Sequence, residues 1–413
     1  MSRLDKLIEK LCPDGVEMHE LQELFITRNG YTPSKSKSEF WENGTVPWFK
    51  MEDIRANGNI LSDALQYVNE CAVKGQLFPE NSIIVATSAT VGEHALITVP
   101  SLANQRFTYL MVKPEYEDRF MPKFLFYYCY KLDEYCLQNL NQSSFASVDM
   151  KKFAKFKFPV PPLEVQREIV RVLDSFTLLT AELTAELTAR KKQYEFYRNK
   201  LLSLGSNVKI VPLIDIADIG TGSSNTNEGL EEGKYPFYVR SQEPLRKNEY
   251  EYDETAIITA GDGVGVGKVF HYVEGKYALH QRAYRIHINT LDVLPRYCFH
   301  YMRSAFLPYI QKTMFQGSVA SIRRPMLNQF PVPIPALDVQ KRLVNVLDNF
   351  EAICTDLNIG LPAEIEARQK QYEYYRDLLL TFAEAGSTIL TDRQTDRQTD
   401  RQTDRQTDRA ECN

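Results

Sequence analysis

The chain has 413 residues, 43% of them hydrophobic, and a formal net charge of −5. That length allows two or three domains at about 150 residues each, and the acidic balance argues against bulk nonspecific nucleic-acid binding while leaving room for a local basic groove. No run reaches about 18 uncharged apolar residues, so no membrane span is expected. The charged N-terminus Met1–Lys10 does not read as a signal peptide. The seven cysteines (Cys12, Cys71, Cys129, Cys136, Cys298, Cys354 and Cys412) form no CxxC pair. They read as reduced thiols of a cytoplasmic protein, without a disulfide frame or zinc knuckle.

Residues 1–158 read as a first variable region of short β-like runs and turns. Ser82–Thr87 and Tyr109–Val112 are predicted buried strands, and Phe124–Tyr130 belongs to a packed helix. Residues 159–207 form a first spacer. Pro159, Pro161 and Pro162 hold an extended approach and permit a first helical turn. From 163 to 204, Val165, Ile169, Val172, Phe176, Leu179 and Leu183 step by four and three, the seam of one long helix.

Residues 208–330 form a second variable region, with strand candidates Ala256–Thr259 and Tyr284–Ile288. Residues 331–385 form a second spacer: Pro331, Pro333 and Pro335 precede a helix over 337–382 with Val339, Leu343, Val346, Phe350, Ile353 and Leu357 on its seam. Pro362 is expected to break or kink it. Residues 386–413 are a tail in which Thr-Asp-Arg-Gln recurs from Thr391 to Arg409. Nothing apolar occurs in that repeat, so disorder is expected there.

The two halves repeat each other. Phe158–Phe176 is answered by Pro331–Phe350, and Arg190–Arg198 by Arg368–Arg376. So long a period marks a duplicated domain, not a solenoid of short units. The fold expected is α+β, two similar heads linked by long helices with approximate two-fold symmetry, and duplex DNA is the commonest ligand of that symmetry.

This order of variable region, helix, variable region and like helix resembles the specificity subunit of type I restriction-modification systems over about residues 15–385. Its most specific pieces are the proline-led Val-Gln approach (Val165-Gln166, Val339-Gln340) and the Lys-Gln-Tyr exit (Lys192-Gln193-Tyr194, Lys370-Gln371-Tyr372). Thr180–Leu187, Thr-Ala-Glu-Leu twice, resembles the tetrapeptide repeat by which one branch of that family sets half-site spacing. Thr32-Pro-Ser and Pro47-Trp48 stand where a target-recognition domain starts; Gly220-Thr-Gly-Ser-Ser departs from that pattern, as a second head reading a different half-site should.

The resemblance implies two α/β target-recognition domains on two long antiparallel coiled-coil helices. It implies a non-catalytic reader of split double-stranded DNA sites, partnered by two methyltransferase subunits and by motor-nuclease subunits. No cofactor is expected in this chain, with S-adenosylmethionine, ATP and Mg on the partners. A coiled-coil adaptor without DNA binding and an enzyme with an unrecognised site remain alternatives.

No catalytic or metal-ligating constellation stands out. Neither Asn-Pro-Pro-Phe nor Asp-Pro-Pro-Tyr occurs, and no P-loop. The glycine-rich Gly261–Lys268 is followed by Val269-Phe-His-Tyr-Val, a strand and not the helix a phosphate cradle needs, so it reads as a hairpin turn. The six histidines show no metal spacing.

Base and phosphate contacts call for Arg, Lys, Asn and Gln, and three places recur. Asn104-Gln105-Arg106 matches His280-Gln281-Arg282. Gln142-Ser143 matches Gln316-Gly317-Ser318, flanked by Lys151, Lys152, Arg323 and Arg324. Lys50 matches the neighbourhood of Arg240 and Gln242. These are candidate DNA contacts, with framework or solvated-surface roles the alternative. The rings Tyr194, Phe196 and Tyr197, and Tyr372, Tyr374 and Tyr375, are expected either to receive partner subunits or to seal the helices.

Overall fold

The computed structural model describes residues 3–141, 146–204, 208–313 and 321–381. Gln142, Ser143, Gln316, Ser318 and the repeat tail lie outside them. The chain divides into two compact units, Met1–Thr180 with Ala367–Asn413, and Ala181–Glu366.

In the first unit five strands pair in the order Phe25–Asn29, Phe107–Val112, Ile83–Ala86, His94–Ile97 and Ile60–Leu61. Only the last pair is parallel. Every residue of Ile83–Ala86 is buried, which explains its unbroken apolar run: a strand covered on both faces loses the alternation of a half-exposed one. A smaller sheet places Val46–Phe49 between Tyr67–Val68 and Leu102–Ala103. Helix Pro122–Gln138 starts with Pro in its first turn, where the missing N–H costs nothing, and packs on His94–Ile97. Strand Met18–Glu20 pairs antiparallel with Lys157–Pro159, so the head closes where its chain enters and leaves.

The second unit repeats the plan with longer strands. Its six-stranded sheet runs Ala217–Thr221, Ala283–Ile288, Tyr252–Ala260, Phe270–Leu279, Tyr235–Tyr238 and Leu245–Lys247. Helix Pro295–Thr313 packs on Tyr252–Ala260 and Phe270–Leu279. Lys209–Pro212 pairs antiparallel with Pro331–Ile334, the counterpart of the closing pair in the first head.

The first spacer is one helix of 40 residues, Leu163–Leu202, about 60 Å at about 1.5 Å per residue. The second is two helices, Leu337–Thr355 and Leu361–Leu380. The break falls before Pro362, since proline is tolerated in a first turn. Asp356 makes it: its carboxylate accepts the Asn358 and Ile359 N–H groups at 2.7 and 3.2 Å. Gly360 fits because a Cβ there would lie 2.6 Å from the Ala352 and Asp356 carbonyl oxygens.

The seam expected on this second spacer is corrected by the structure. Gln340, Leu347 and Cys354 are its buried residues, whereas Val346, Ile353 and Leu357 are exposed. Leu343 and Phe350 of the expected seam do pack against the second unit's core, whereas Val339, Val346 and Ile353 give way to the residue that follows each. Within the second unit Tyr197 meets Phe350, ring centres 6.2 Å apart, and Cys354 lies near Arg190 and Lys191, so the two helical stretches run antiparallel there. Within the first unit Phe176 stacks on Tyr375 at 5.4 Å.

Candidate nucleic-acid interface

In the first unit the parallel pairing of Trp48 with Leu102 and Phe49 with Ala103 releases Lys50 and Asn104 side by side at the strand ends. The Asn104 N–H donates to the Phe49 carbonyl at 3.0 Å. The Asn104 side-chain oxygen accepts the Arg106 N–H at 2.9 Å; this local turn leaves Gln105 and Arg106 exposed. The Thr32 hydroxyl donates to the Gln105 carboxamide oxygen, and the Lys50 ammonium lies 5.6 Å from the Trp48 ring centre. The Arg106 carbonyl accepts the Thr87 N–H at 3.0 Å. Ser88, next along, pairs with Ser147.

The second unit builds the same edge from different residues. Phe237 pairs with Ala278 and Tyr238 with Leu279, again in parallel. The His280 N–H donates to the Tyr238 carbonyl at 2.9 Å, and His280 Nδ1 accepts the Arg282 N–H at 2.9 Å, doing with a ring what Asn104 does with an amide. Burial, then the nearby Arg240 charge, lowers the His280 pKa, which keeps that nitrogen an acceptor. The Gln281 amide donates to Asn225 Oδ1, as Gln105 is held by Thr32. The Arg282 carbonyl accepts the Gly261 N–H at 2.8 Å, and Asp262 pairs with Ser321.

One feature has no counterpart in the first head. Asp262 accepts from Arg240 Nη1 at 2.7 Å and from Arg282 Nη1 at 3.0 Å. Burial pushes its carboxyl up, but the two guanidinium hydrogen bonds outweigh this and hold it below the usual aspartate range.

The structure thus brings Lys50, Asn104, Gln105 and Arg106 to one edge, and Arg240, Gln281 and Arg282 to its counterpart. Gln242 is exposed just beyond Arg240. Lys151 and Lys152 are exposed on the short helix Met150–Phe153, whose N-cap is Asp149. Arg323 and Arg324 are both exposed, and Arg324 Nη2 also donates to the Ile219 carbonyl at 2.6 Å. The glycine-rich segment is the hairpin between Tyr252–Ala260 and Phe270–Leu279, with Gly263 at φ +81°; Ala89, at φ +68°, stands in the matching turn of the first head.

The aromatic candidates separate. Tyr194 is 6% exposed in the second unit's core and Tyr372 packs against the first unit's core, so neither offers a free ring face. Phe196, Tyr197 and Tyr374 are exposed. Sequence reasoning passed over Asp262 and Asn225, because only strand pairing brings them to the Gln-Arg segment.

Among the described residues one group could be weighed as a metal site, His300 with Asp348 and Glu351. Arg296 donates to both carboxylates, at 2.8 and 3.0 Å, and Arg303 donates to Glu351. Two guanidiniums hold these acids, and they would repel a cation. The group is an ion-pair network between helices.

Two heads of one design, each presenting a polar edge held by the same backbone bonds, define a duplicated recognition protein. The chain belongs to the type I restriction modification DNA specificity family, which matches residues 13–190 and 205–367. It is 42% identical over 383 residues to the type I restriction enzyme EcoprrI specificity subunit of Escherichia coli, covering 86% of this chain and 93% of that one. It is 36% identical over 281 residues to the EcoR124I/EcoR124II specificity subunit of the same organism, covering 59% of this chain and 69% of that one.

A solved chain of a type I R-M system superposes with a TM-score of 0.59 over 92% of this chain and 99% of that one. At 16% identity this shows the fold, two α/β domains with long antiparallel helices. The chain's function is DNA sequence specificity in a type I restriction-modification complex, its two domains matching a two-part site. No described helix is long and apolar enough to cross a membrane.

Proposed function

We propose that each half of a split DNA site is read at the strand-end edge of one head: Lys50, Asn104, Gln105 and Arg106 in the first, Arg240, Gln242, Gln281 and Arg282 in the second. The observation that carries this is the repetition. The same backbone bonds hold a Gln-Arg pair in both heads, while the residues around the pair differ, as they must if the half-sites differ. Lys151, Lys152 and Arg323 are phosphate contacts in this reading. Gln142, Ser143, Gln316 and Ser318, of which nothing structural is described, stay candidates from the sequence.

The chain performs no chemistry itself in this reading. Two methyltransferase subunits bring S-adenosylmethionine, motor-nuclease subunits bring ATP and Mg, and the complex works in the cytoplasm. The exposed Phe196, Tyr197 and Tyr374 receive the partners. On an acidic chain, such local basic edges let specific contacts form without general adhesion to DNA.

The test is the methylated motif of cells carrying the whole system with Arg106→Ala or Arg282→Ala. Each substitution is expected to relax or abolish recognition in one half-site and spare the other. An unchanged motif with both would reject the assignment of the edge.

A further inference from the structure

We propose that Asp262 is a positioning residue that presets Arg240 and Arg282 as a double guanidinium fork, so that the second head's half-site contains a guanine read by that fork. The inference rests on the reading of this edge as the DNA-contacting surface and adds the base class it takes.

An arginine reads guanine by giving two parallel N–H groups to O6 and N7. A free arginine must give up rotamer entropy to do so. Asp262 removes part of that cost beforehand. Its two oxygens take one Nη1 each, at 2.7 and 3.0 Å. Among the described residues, the Nε and Nη2 groups of both arginines make no other hydrogen bond, which leaves a bidentate edge open on each.

The carboxylate is anchored in turn. Asp262 pairs in backbone register with Ser321, while Gly261 beside it donates to the Arg282 carbonyl at 2.8 Å. The Arg282 N–H is fixed on His280 at 2.9 Å. Exposure grades outward: 19% for the Asp262 side chain, 40% for Arg240 and 63% for Arg282. The acid sits behind and the forks in front.

The first head lacks the device. Ser88, paired with Ser147, holds the place of Asp262. Met51 holds that of Arg240, counting from the matched pairs Phe49–Ala103 and Tyr238–Leu279. The fork is therefore a property of one half-site, and it cannot be a framework feature common to both heads.

A rival role for Asp262 is to dilute positive charge. Asp262→Asn keeps the shape and removes the charge, so it separates the two. The intact complex carrying this substitution is assayed for its methylated motif and for its affinity to specific and nonspecific duplexes. Positioning predicts that discrimination for guanine at one or two adjacent positions of one half-site falls about five- to a hundredfold, with the other half-site unaltered.

Arg282→Lys, which keeps charge and loses the fork, should mimic it, and Asp262→Glu should restore part of the discrimination. An unchanged motif with tighter binding to every duplex would make Asp262 a charge diluter and overturn the proposal. If Arg240→Ala with Arg282→Ala changes neither motif nor affinity, the surface itself has been misassigned, a different failure from the first.

Discussion

The Gln166 carboxamide donates to the backbone carbonyl of Arg119 over 2.7 Å, across 47 positions of sequence. The same nitrogen donates to the Pro161 carbonyl at 2.8 Å, and the oxygen accepts the Met121 N–H at 2.9 Å. Gln340 repeats all three bonds with Asp292, Pro335 and Leu294, at 2.8, 2.8 and 2.9 Å. Both glutamines are fully buried. Each rivets the start of a spacer helix to the start of its head's main helix, and thereby sets the angle between them.

Leucine at either position would fill the volume and orphan three backbone groups, one of them fully buried and two partly. Gln166→Leu and Gln340→Leu should each cost about 2–5 kcal/mol, read as a lower denaturation midpoint of the unit concerned. An unshifted midpoint would mean that the joint is held by the prolines alone.

The joint was legible in the sequence because it occurs twice, with the same Val-Gln behind the same prolines. The helix break was legible in Pro362 but not its position, because proline suits a first turn and the chain breaks just ahead of it. The face of the second spacer was misread in part: heptad spacing found Leu343 and Phe350, which pack on the core, but it reports which residues are apolar, whereas the head also covers Gln340, Leu347 and Cys354. The Arg240–Asp262–Arg282 cluster was illegible for a different reason. Its members are 22 and 20 positions apart and meet through strand pairing, which no periodicity encodes.

Tyr194 and Phe196 are two residues apart in one helix, with opposite surroundings. Tyr194 is 6% exposed with its hydroxyl 3.5 Å from His300 Nδ1, and Phe196 is 60% exposed. Tyr194→Ala should cost about 3–5 kcal/mol of stability. Phe196→Ser with Tyr374→Ser, both more than half exposed, should leave the melt within about 0.5 kcal/mol and weaken capture of the modification subunit at least about tenfold. Equal affinity for that subunit would remove these rings from the interface.

Three histidines give the second unit an acid limit. Burial lowers the pKa of His271, His280 and His300, opposed by the hydrogen bonds that His271 donates to the Ser241 carbonyl and His300 to the Asp348 carboxylate. His300 sits among Asp348, Glu351, Arg296, Arg303 and Tyr194. A histidine lowered on folding holds fewer protons folded than unfolded. Its stabilising share is complete above the unfolded value, about 6.5, and is lost as pH falls through the window below it. Melts of the intact chain should therefore shift downward from about pH 7 to about pH 5.5, and His300→Gln should flatten that slope. A second unit that grows more stable over this range would contradict the assignment.

The Thr-Asp-Arg-Gln tail lies outside the described residues, and its prediction is genetic. The codons ACA, GAC, AGA and CAG encode this cycle, and together they are the tetranucleotide ACAG written three times. A four-base unit read in threes returns to frame after twelve bases, which yields the four-residue period seen from Thr391 to Arg409. Every frame of ACAG encodes the same cycle, so gain or loss of a unit alters only the residues downstream of it, Ala410-Glu-Cys-Asn413. Both heads and both joints precede the repeat and keep their sequence. Sequencing the locus from many single colonies should show repeat numbers that vary, with changed residues after the repeat and an unchanged methylated motif. Mixed synonymous codons, or a count that never varies, would leave the tail as inert polar sequence.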